Sequence, residues 1–578
     1  RNYRIDLKKS LQLYEECSVY ASNNPDDVQL SNSIMLGYAL ALDDDGFSDK
    51  ALKVIQGLLF GSAAGIKTVP ETENPDFTSA EPLQWSIKLL RAKYGVLWNI
   101  YKKTHDRKYL FSAAATAEAV IGLIDRVRIN ISEDESRLIL GDRFRDLYLF
   151  AMRDFDLCYK LTHDKSYLEK AFVYSEKSKV AGLLASTREL KATQFHIPPD
   201  IAELERKLKA EISFYEARIE NENSLTNPDM AMVTEWKNLV LNSIKSRDSL
   251  VKILEDQYPD YYQIKYNSNV VSSNEIPDVV GGKTTYLSYV VSDTVLYIFL
   301  KNKKYMQLVT VPIDTAFFNN VTEFRELISY PGCNAKSDFN RFMKSGRILF
   351  NTLVEPVEKY FISDRLLISP DNILSYLPFE AMPAGNNPES SSQFSSISYL
   401  LEDYRISYTY SATFLAESKT REKAARNKVV AFAPIYTGII NVDSLLGSRQ
   451  GAVESLSDLP FARTEAQYVT EITKGKLFIN DGATESVFKS VAGNYDIIHL
   501  AMHTVLNDQY PMYSKMLFYQ ERDSTDDGNL NTWEVYGLPL KAKMVILSSC
   551  NTGNGKLYSG EGILSLARGF VYSGSQSV

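Results

Sequence analysis

A single spacing constrains the first part of this chain more than any other feature. Tyr101, Lys102, Thr104, His105, Asp106, Tyr109, Leu110 and Ala113 return 58 residues later as Tyr159, Lys160, Thr162, His163, Asp164, Tyr167, Leu168 and Ala171. The register runs on to Glu118 and Glu176, and back to Leu89 and Leu147. Self-similarity at one fixed offset marks stacked units, each leaving an apolar face that its neighbour must cover. Each unit reads as a long helix, a short Thr-His-Asp turn and a second helix, with Asp106 and Asp164 where an N-cap takes up free amide groups. On this reading His105 and His163 recur because the turn recurs, and neither is a metal ligand or catalytic group.

Roughly the first 255 residues read as helix. Ala113, Ala114, Ala115 and Ala117 suit close helix–helix approach, in the style of tetratricopeptide repeats, although 58 residues exceeds their usual ~34-residue unit. Residues 1–198 are assigned to this repeat array. Residues 199–221 and 229–256 read as two long amphipathic helices joined by Asn223–Pro228. The mixed charges Glu203, Glu205, Arg206, Lys207 and Lys209 form a solvated face rather than a binding stripe. Pro259, Pro277 and Gly281–Gly282 then break the helical pattern, so residues 199–275 make a hairpin and linker that end at a domain boundary.

Beyond Lys283 the apolar period changes. Thr284–Val291, Val295–Leu300 and Tyr305–Pro312 are β-rich runs parted by turn residues, an antiparallel meander. Arg365–Ser369 is a further strand, and Ala384–Ser398 reads as a surface loop or disordered insertion. From Lys428 strands and helices alternate: Val429–Ala433, Lys476–Ile479, Asp496–Ala501 and Met544–Ser548 are strands, and Thr464–Thr473, Glu485–Val491 and Ser565–Tyr572 are helices. Apolar strands without alternation, interleaved with helices, predict a parallel sheet covered on both faces. The segment Pro434–Pro460 is read as a mobile loop over the cleft.

Composition narrows the function classes. With 64 Lys and Arg against 72 Asp and Glu the net charge is −8, which disfavours direct nucleic-acid binding. No apolar run approaches the ~20 residues of a membrane span. Four cysteines in 578 residues (Cys17, Cys158, Cys333, Cys550) are too few for a disulfide scaffold and lack metal-ligand spacing. A cytoplasmic location and no metal or other cofactor are expected. The chain begins at Arg1 rather than Met, which leaves room for a removed targeting segment.

Two strands run out into reactive side chains: Asp496–Ala501 into Met502 and His503, and Met544–Ser548 into Ser549 and Cys550. The carboxyl ends of parallel strands are where α/β sheets place catalysis. Imidazole beside thiol supplies the chemistry, because a free thiol near pKa ~8.5 is mostly protonated at neutral pH and a nearby base can ionise it. The main-chain N–H groups of Cys550 and Thr504 are the candidate oxyanion donors. His499, four residues before His503, is read first as a packed core histidine, with a supporting role at the site as the sharper alternative. Cys17, Cys158 and Cys333 read as structural. A phosphate-binding loop is disfavoured, because Gly553-Asn554-Gly555-Lys556 is followed by Leu557 rather than a hydroxyl residue.

From about residue 160 onward the chain resembles the CHAT family, caspase-like proteins fused to tetratricopeptide repeats. The resemblance rests on Leu366-Leu367-Ile368-Ser369-Pro370-Asp371-Asn372, Leu377-Pro378-Phe379-Glu380-Ala381, and Leu459-Pro460 with Glu465. It is strongest at His499-Leu500-Ala501-Met502-His503 and Leu547-Ser548-Ser549-Cys550-Asn551-Thr552-Gly553, followed by Gly560-Glu561-Gly562, Leu566-Ala567-Arg568 and Gly574. Tyr167–Ala185 resembles the repeat that commonly precedes this domain.

The resemblance implies an α plus α/β architecture: TPR-like helical repeats, a pseudo-caspase half over residues 276–427, and a caspase-like α/β/α catalytic half over residues 428–578. By the family's pattern that last half stops short, since members usually continue with another strand and a helix. The resemblance further implies a bacterial cysteine endopeptidase with His503 as general base and Cys550 as nucleophile. Glu561 then fixes a loop or lines a specificity pocket. The implied partners are a protein substrate and a regulatory protein bound to the helical repeats, with a CRISPR or other antiphage defence component as the setting. Thr504 departs from the glycine that usually follows the catalytic histidine. The competing reading is an inert scaffold built from repeats and a degenerate caspase fold.

Overall fold

The computed structural model describes residues 7–23, 28–60, 70–76, 83–130, 143–179, 184, 188, 197–223, 229–259, 261–262, 269–329, 336–384, 394–419, 428–436, 458–507, 511–520, 526–538, 540–549, 556–558 and 562–578. The chain divides into two units. The first comprises Arg1–Ser178 with Lys191–Ser273, and the second Lys179–Leu190 with Asn274–Val578. No helix among the described residues is long and apolar enough to cross a membrane.

The first unit is helical: α1 (Leu7–Asn23), α2 (Val28–Asp44), α3 (Ser48–Phe60), α4 (Leu83–Thr104), α5 (Arg107–Asn130), α6 (Arg145–Thr162), α7 (Lys165–Lys177), α8 (Pro199–Asn223) and α9 (Met230–Gln257). The repeated turn is the same structure twice. His105 and His163 end α4 and α6 in the left-handed region, at φ 53° and 57°, and each donates its N–H back to Tyr101 O or Tyr159 O at 2.8 and 2.7 Å. Asp106 and Asp164 then cap the next helix, accepting from Lys108 N at 3.0 Å and Ser166 N at 2.9 Å. The two histidines are therefore helix-ending turn residues, as the repeat reading expects.

A third copy of this unit carries almost no residue identity. Ser48, Leu52, Ile55 and Leu59 on α3 stand 58 positions before Asp106, Leu110, Ala113 and Ala117, and the apolar members of both sets are buried. Here Gly46, at φ 94°, makes the turn. What repeats is the buried stripe that stacking requires, and side-chain identity is free to drift wherever that stripe is kept. Successive pairs are also tied through polar contacts, as between Asn99 Nδ2 and Asp43 Oδ2 at 2.7 Å and Lys170 Nζ and Glu118 Oε2 at 2.9 Å. Farther on, Asp229 caps α9, and the α8–α9 hairpin closes on Leu208, Leu250 and Leu254, with Tyr261 Oη donating to Glu205 Oε2 at 2.6 Å.

The second unit holds two main sheets. In the first, β1 (Thr284–Val291), β2 (Val295–Lys301) and β3 (Met306–Pro312) form the expected antiparallel meander, and β4 (Arg365–Ser369) and β5 (Arg405–Tyr408) extend it in parallel, giving the order β3-β2-β1-β4-β5. Helices α10 (Thr315–Ser329) and α11 (Lys336–Leu353) contribute Phe324, Phe342 and Leu349 to its core. Buried Lys179 donates to Ser288 Oγ and Ser369 Oγ, a register pair on β1 and β4, at 2.9 and 2.8 Å. Of the expected Ala384–Ser398 loop, residues 385–393 lie outside the described residues.

The second sheet is built from β6 (Val429–Pro434), β7 (Lys476–Asn480), β8 (Ile497–Ala501) and, after an excursion, β12 (Met544–Ser548). It is parallel throughout, in the order β12-β8-β6-β7. Helices α12 (Pro460–Thr473), α13 (Glu485–Val491) and α14 (Leu566–Tyr572) accompany it. The excursion is a small antiparallel sheet, β9 (Thr504–Val505), β10 (Lys515–Leu517) and β11 (Asn529–Asn531), in the order β11-β10-β9. Central β6 is buried along its whole length, as expected of a strand covered on both faces. Edge strand β12 departs from that expectation: Met544 and Ile546 are 43% and 36% exposed, on the face where α12 lies over β6 and β8. A helical first unit thus precedes an α/β unit with one mixed and one parallel sheet, the layout of a caspase-like fold. For the expected loop Pro434–Pro460, residues 437–457 lie outside the described residues.

Candidate active site

The two faces of the parallel sheet have different side chains, and this difference positions the site. Val430, Phe432, Ile498 and Leu500 point to one side, where Phe432 stacks on Phe478 at 4.9 Å and meets Phe488 edge-on at 5.5 Å. Toward α12 the middle of the sheet offers Ala431, Ala433 and Ala501, packed against Ala462 and Ala466, with Leu477 and Ile479 of β7 at the margin. Methyl-sized residues on both surfaces let the helix approach closely. A polar side chain on α12 can then reach the strands.

Glu465 does so. Its Oε2 accepts from Ser548 Oγ at 3.0 Å, on β12. Its Oε1 lies 3.0 Å from His499 Nε2, on β8, though not along the N–H axis. His499 is 3% exposed, and burial pushes its imidazole below the usual histidine range while Glu465 pulls the other way. Its Nδ1 has no partner among the described residues. The carboxylate thus bonds to the end of β12 and lies against His499 in the middle of β8.

Register carries the pairing further. His499 pairs with Ile546 and Ala501 with Ser548 across the parallel β8–β12 ladder. Two residues beyond each member of that last pair stand His503 and Cys550. The two chains remain bonded past the ladder, where Ser549 Oγ donates to Met502 O. Cys550 and Glu561 themselves lie outside the described residues, as does Cys333. Glu561 is flanked by the short hairpin strands Lys556–Tyr558 and Gly562–Leu564.

His503 is half-buried where the chain leaves β8 and enters β9. Because β8 ends at Ala501, strand alternation does not extend to residue 503, and His499 and His503 part company: one meets Glu465, the other Tyr436. The Tyr436 ring lies 4.8 Å from the His503 ring, tilted by 60°. Its hydroxyl accepts from His503 N at 3.0 Å and donates to Leu517 O at 2.7 Å. Burial holds that phenol far above its ordinary range, so it stays protonated and able to donate. Thr504 faces Met516 across the ladder next to the Leu517 N–His503 O rung. In an antiparallel pair this is a position without a rung, so the Thr504 N–H is directed away from β10.

Cys17 and Cys158 both belong to the helical unit, and neither has the setting of a reactive thiol. Cys158 is buried, and desolvation pushes its thiol up to about 12. Cys17, read from sequence as structural, is exposed on α1. Sequence reasoning overlooked Tyr436. Its one signal was an aromatic residue two positions past the end of the central strand. Glu465 was noticed as part of a pattern but had no role.

A family model described as the CHAT domain matches residues 343–578, which take in β4 and β5 and the whole of the parallel sheet. No curated protein matches the chain.

Proposed function

We propose, on the premise that residues 343–578 are a CHAT domain and so belong to a caspase-like, cysteine-protease-related family, that the second unit is an endopeptidase with a His503–Cys550 dyad. The observation that supports it most is the β8–β12 register, with Ala501 beside Ser548 and the Ser549 hydroxyl on Met502 O, because both reactive residues follow within two positions.

In this mechanism His503 takes the thiol proton of Cys550, and the thiolate attacks the scissile carbonyl carbon. Negative charge on the carbonyl oxygen is met by the main-chain N–H groups of Thr504 and Cys550. The imidazolium returns its proton to the departing amine as the C–N bond breaks. Water, deprotonated by His503, then hydrolyses the thioester and restores the thiol. Among the described groups, Glu465 braces the end of β12 from α12 and takes no part in the proton transfers.

The helical first unit is the proposed binding site for a regulatory protein, since stacked repeats present extended surfaces. Antiphage defence is the proposed setting. Cys550→Ala should abolish cleavage of a neighbouring-operon protein, read by mass spectrometry against wild type, while leaving partner binding intact. Cleavage that persists in that variant removes the assignment. In the inert-scaffold alternative, Cys550 alkylates no faster than the other thiols, with or without a partner.

A further inference from the structure

One rung of the β9–β10 ladder is occupied by a side chain. Leu517 N donates to His503 O at 3.0 Å, which marks these two residues as a hydrogen-bonded pair. Such a pair normally exchanges both bonds. Here the return bond is relayed: His503 N donates to Tyr436 Oη at 3.0 Å, and Tyr436 Oη donates to Leu517 O at 2.7 Å. A direct rung holds nitrogen and oxygen about 2.9 Å apart, whereas two such bonds meeting at a tetrahedral hydroxyl hold them about 4.7 Å apart. The phenol therefore sits in the ladder as a bridging water would, and it opens the ladder at His503.

Tyr436 is itself held firmly. It is 5% exposed, and it follows β6, the central strand of the parallel sheet. Its own N–H points to Asp458 Oδ1 at 3.4 Å, and Arg463 on α12 grips both oxygens of Asp458 at 2.9 and 2.7 Å. A wedge anchored to the sheet centre and to α12 thus bears on one residue's main chain and, through its ring, on that residue's imidazole.

We propose that Tyr436 is a positioning residue for His503: its inserted hydroxyl sets how far the His503 main chain stands from β10, and its ring sets the tilt of the imidazole. The inference rests on the proposed reading of His503 as the base that ionises Cys550. Without the hydroxyl, the His503 N–H and Leu517 O either lose their partner or close on each other. Each outcome moves the imidazole. Proton transfer between side chains depends on placement, and a misplacement of 1 Å can cost ~100-fold in rate.

The test uses the full chain and iodoacetamide, following carboxamidomethylation of the Cys550 peptide by mass spectrometry between pH 5.5 and 9. Wild type, Tyr436→Phe and His503→Ala are compared, with exposed Cys17 as the internal reference. Wild type should react at Cys550 well below the ~8.5 midpoint of a free thiol, and His503→Ala should lose that advantage. Tyr436→Phe should react about 3–10-fold more slowly than wild type at pH 7, with its midpoint moved toward that of His503→Ala. Cys17 should be unchanged. A phenylalanine variant that tracks wild type at every pH overturns the positioning role and leaves the dyad standing. If instead wild type tracks His503→Ala, the dyad fails, and the positioning role falls with it. A measurement on wild type alone covers the case in which the variant does not fold: the His503 amide should resist hydrogen exchange, and exchange at the rate of an exposed amide overturns the inserted hydroxyl.

Discussion

Removing the Glu465 carboxylate tests whether the end of β12 is braced from α12 beside β8. Among the described residues Oε2 accepts from Ser548 Oγ at 3.0 Å, while Oε1 lies 3.0 Å from His499 Nε2 without a hydrogen bond. A hydrogen bond to a charged group contributes about 1.5–3 kcal/mol when buried. The Glu465 side chain is 42% exposed, and solvent screening brings the Ser548 bond down to about 1 kcal/mol. Glu465→Ala should therefore cost about 1 kcal/mol, and Glu465→Gln, whose carboxamide oxygen can still accept from Ser548, about half of that. Urea unfolding followed through Trp533, the one tryptophan of the second unit, reads the loss. A double-mutant cycle with Ser548→Ala should show a coupling of about 1 kcal/mol. Iodoacetamide labelling of Cys550 should slow about tenfold in Glu465→Ala, because the strand that leads into it is no longer tied. Zero coupling together with unchanged Cys550 reactivity would refute the brace.

Three further predictions concern the helical unit. His163 occupies the left-handed region at φ 57°, so His163→Gly should stabilise by about 0.5–1 kcal/mol, whereas Asp164→Ala should cost about 1 kcal/mol through the lost cap on Ser166 N. Denaturant midpoints decide both, and a destabilising His163→Gly would give the imidazole a role beyond the turn. Asp154 is fully buried beside Arg153, and burial holds its carboxyl up to about 6. Its proton is bound more tightly folded than unfolded, so its contribution is most favourable below the ordinary carboxyl range and declines as pH rises through about 6. Wild type should lose up to about 3 kcal/mol between pH 4 and 8 through this group, a dependence that Asp154→Asn flattens. Parallel stability curves for the two proteins would remove the argument.

How much was legible in the sequence varied with how local the cause was. The Thr-His-Asp turn, its caps and the strands of both sheets other than β5 follow from contacts within a few residues, and the structure shows them where the pattern placed them; β5, four mostly exposed residues, carried no apolar run. The third helical pair escaped notice because only its buried stripe repeats, with Leu52 and Ile55 standing where Leu110 and Ala113 stand. Strands β9, β10 and β11 escaped because two or three residues are too few to show alternation. Tyr436 lies 67 residues before His503, and no local rule links a tyrosine to a main-chain amide that far away.

The sequence by itself determined the units: an amphipathic repeat, an apolar parallel core, and a histidine and a cysteine each following a strand by two positions. Only the tertiary structure decided the neighbours. Strand order put β8 beside β12, the alanine floor let α12 bring Glu465 down onto both, and the exit from β6 delivered Tyr436 into a rung of another sheet. Periodicity records which face of an element is buried, since that depends on the side chains of one segment. Which segment covers that face depends on shape and volume summed over the whole fold.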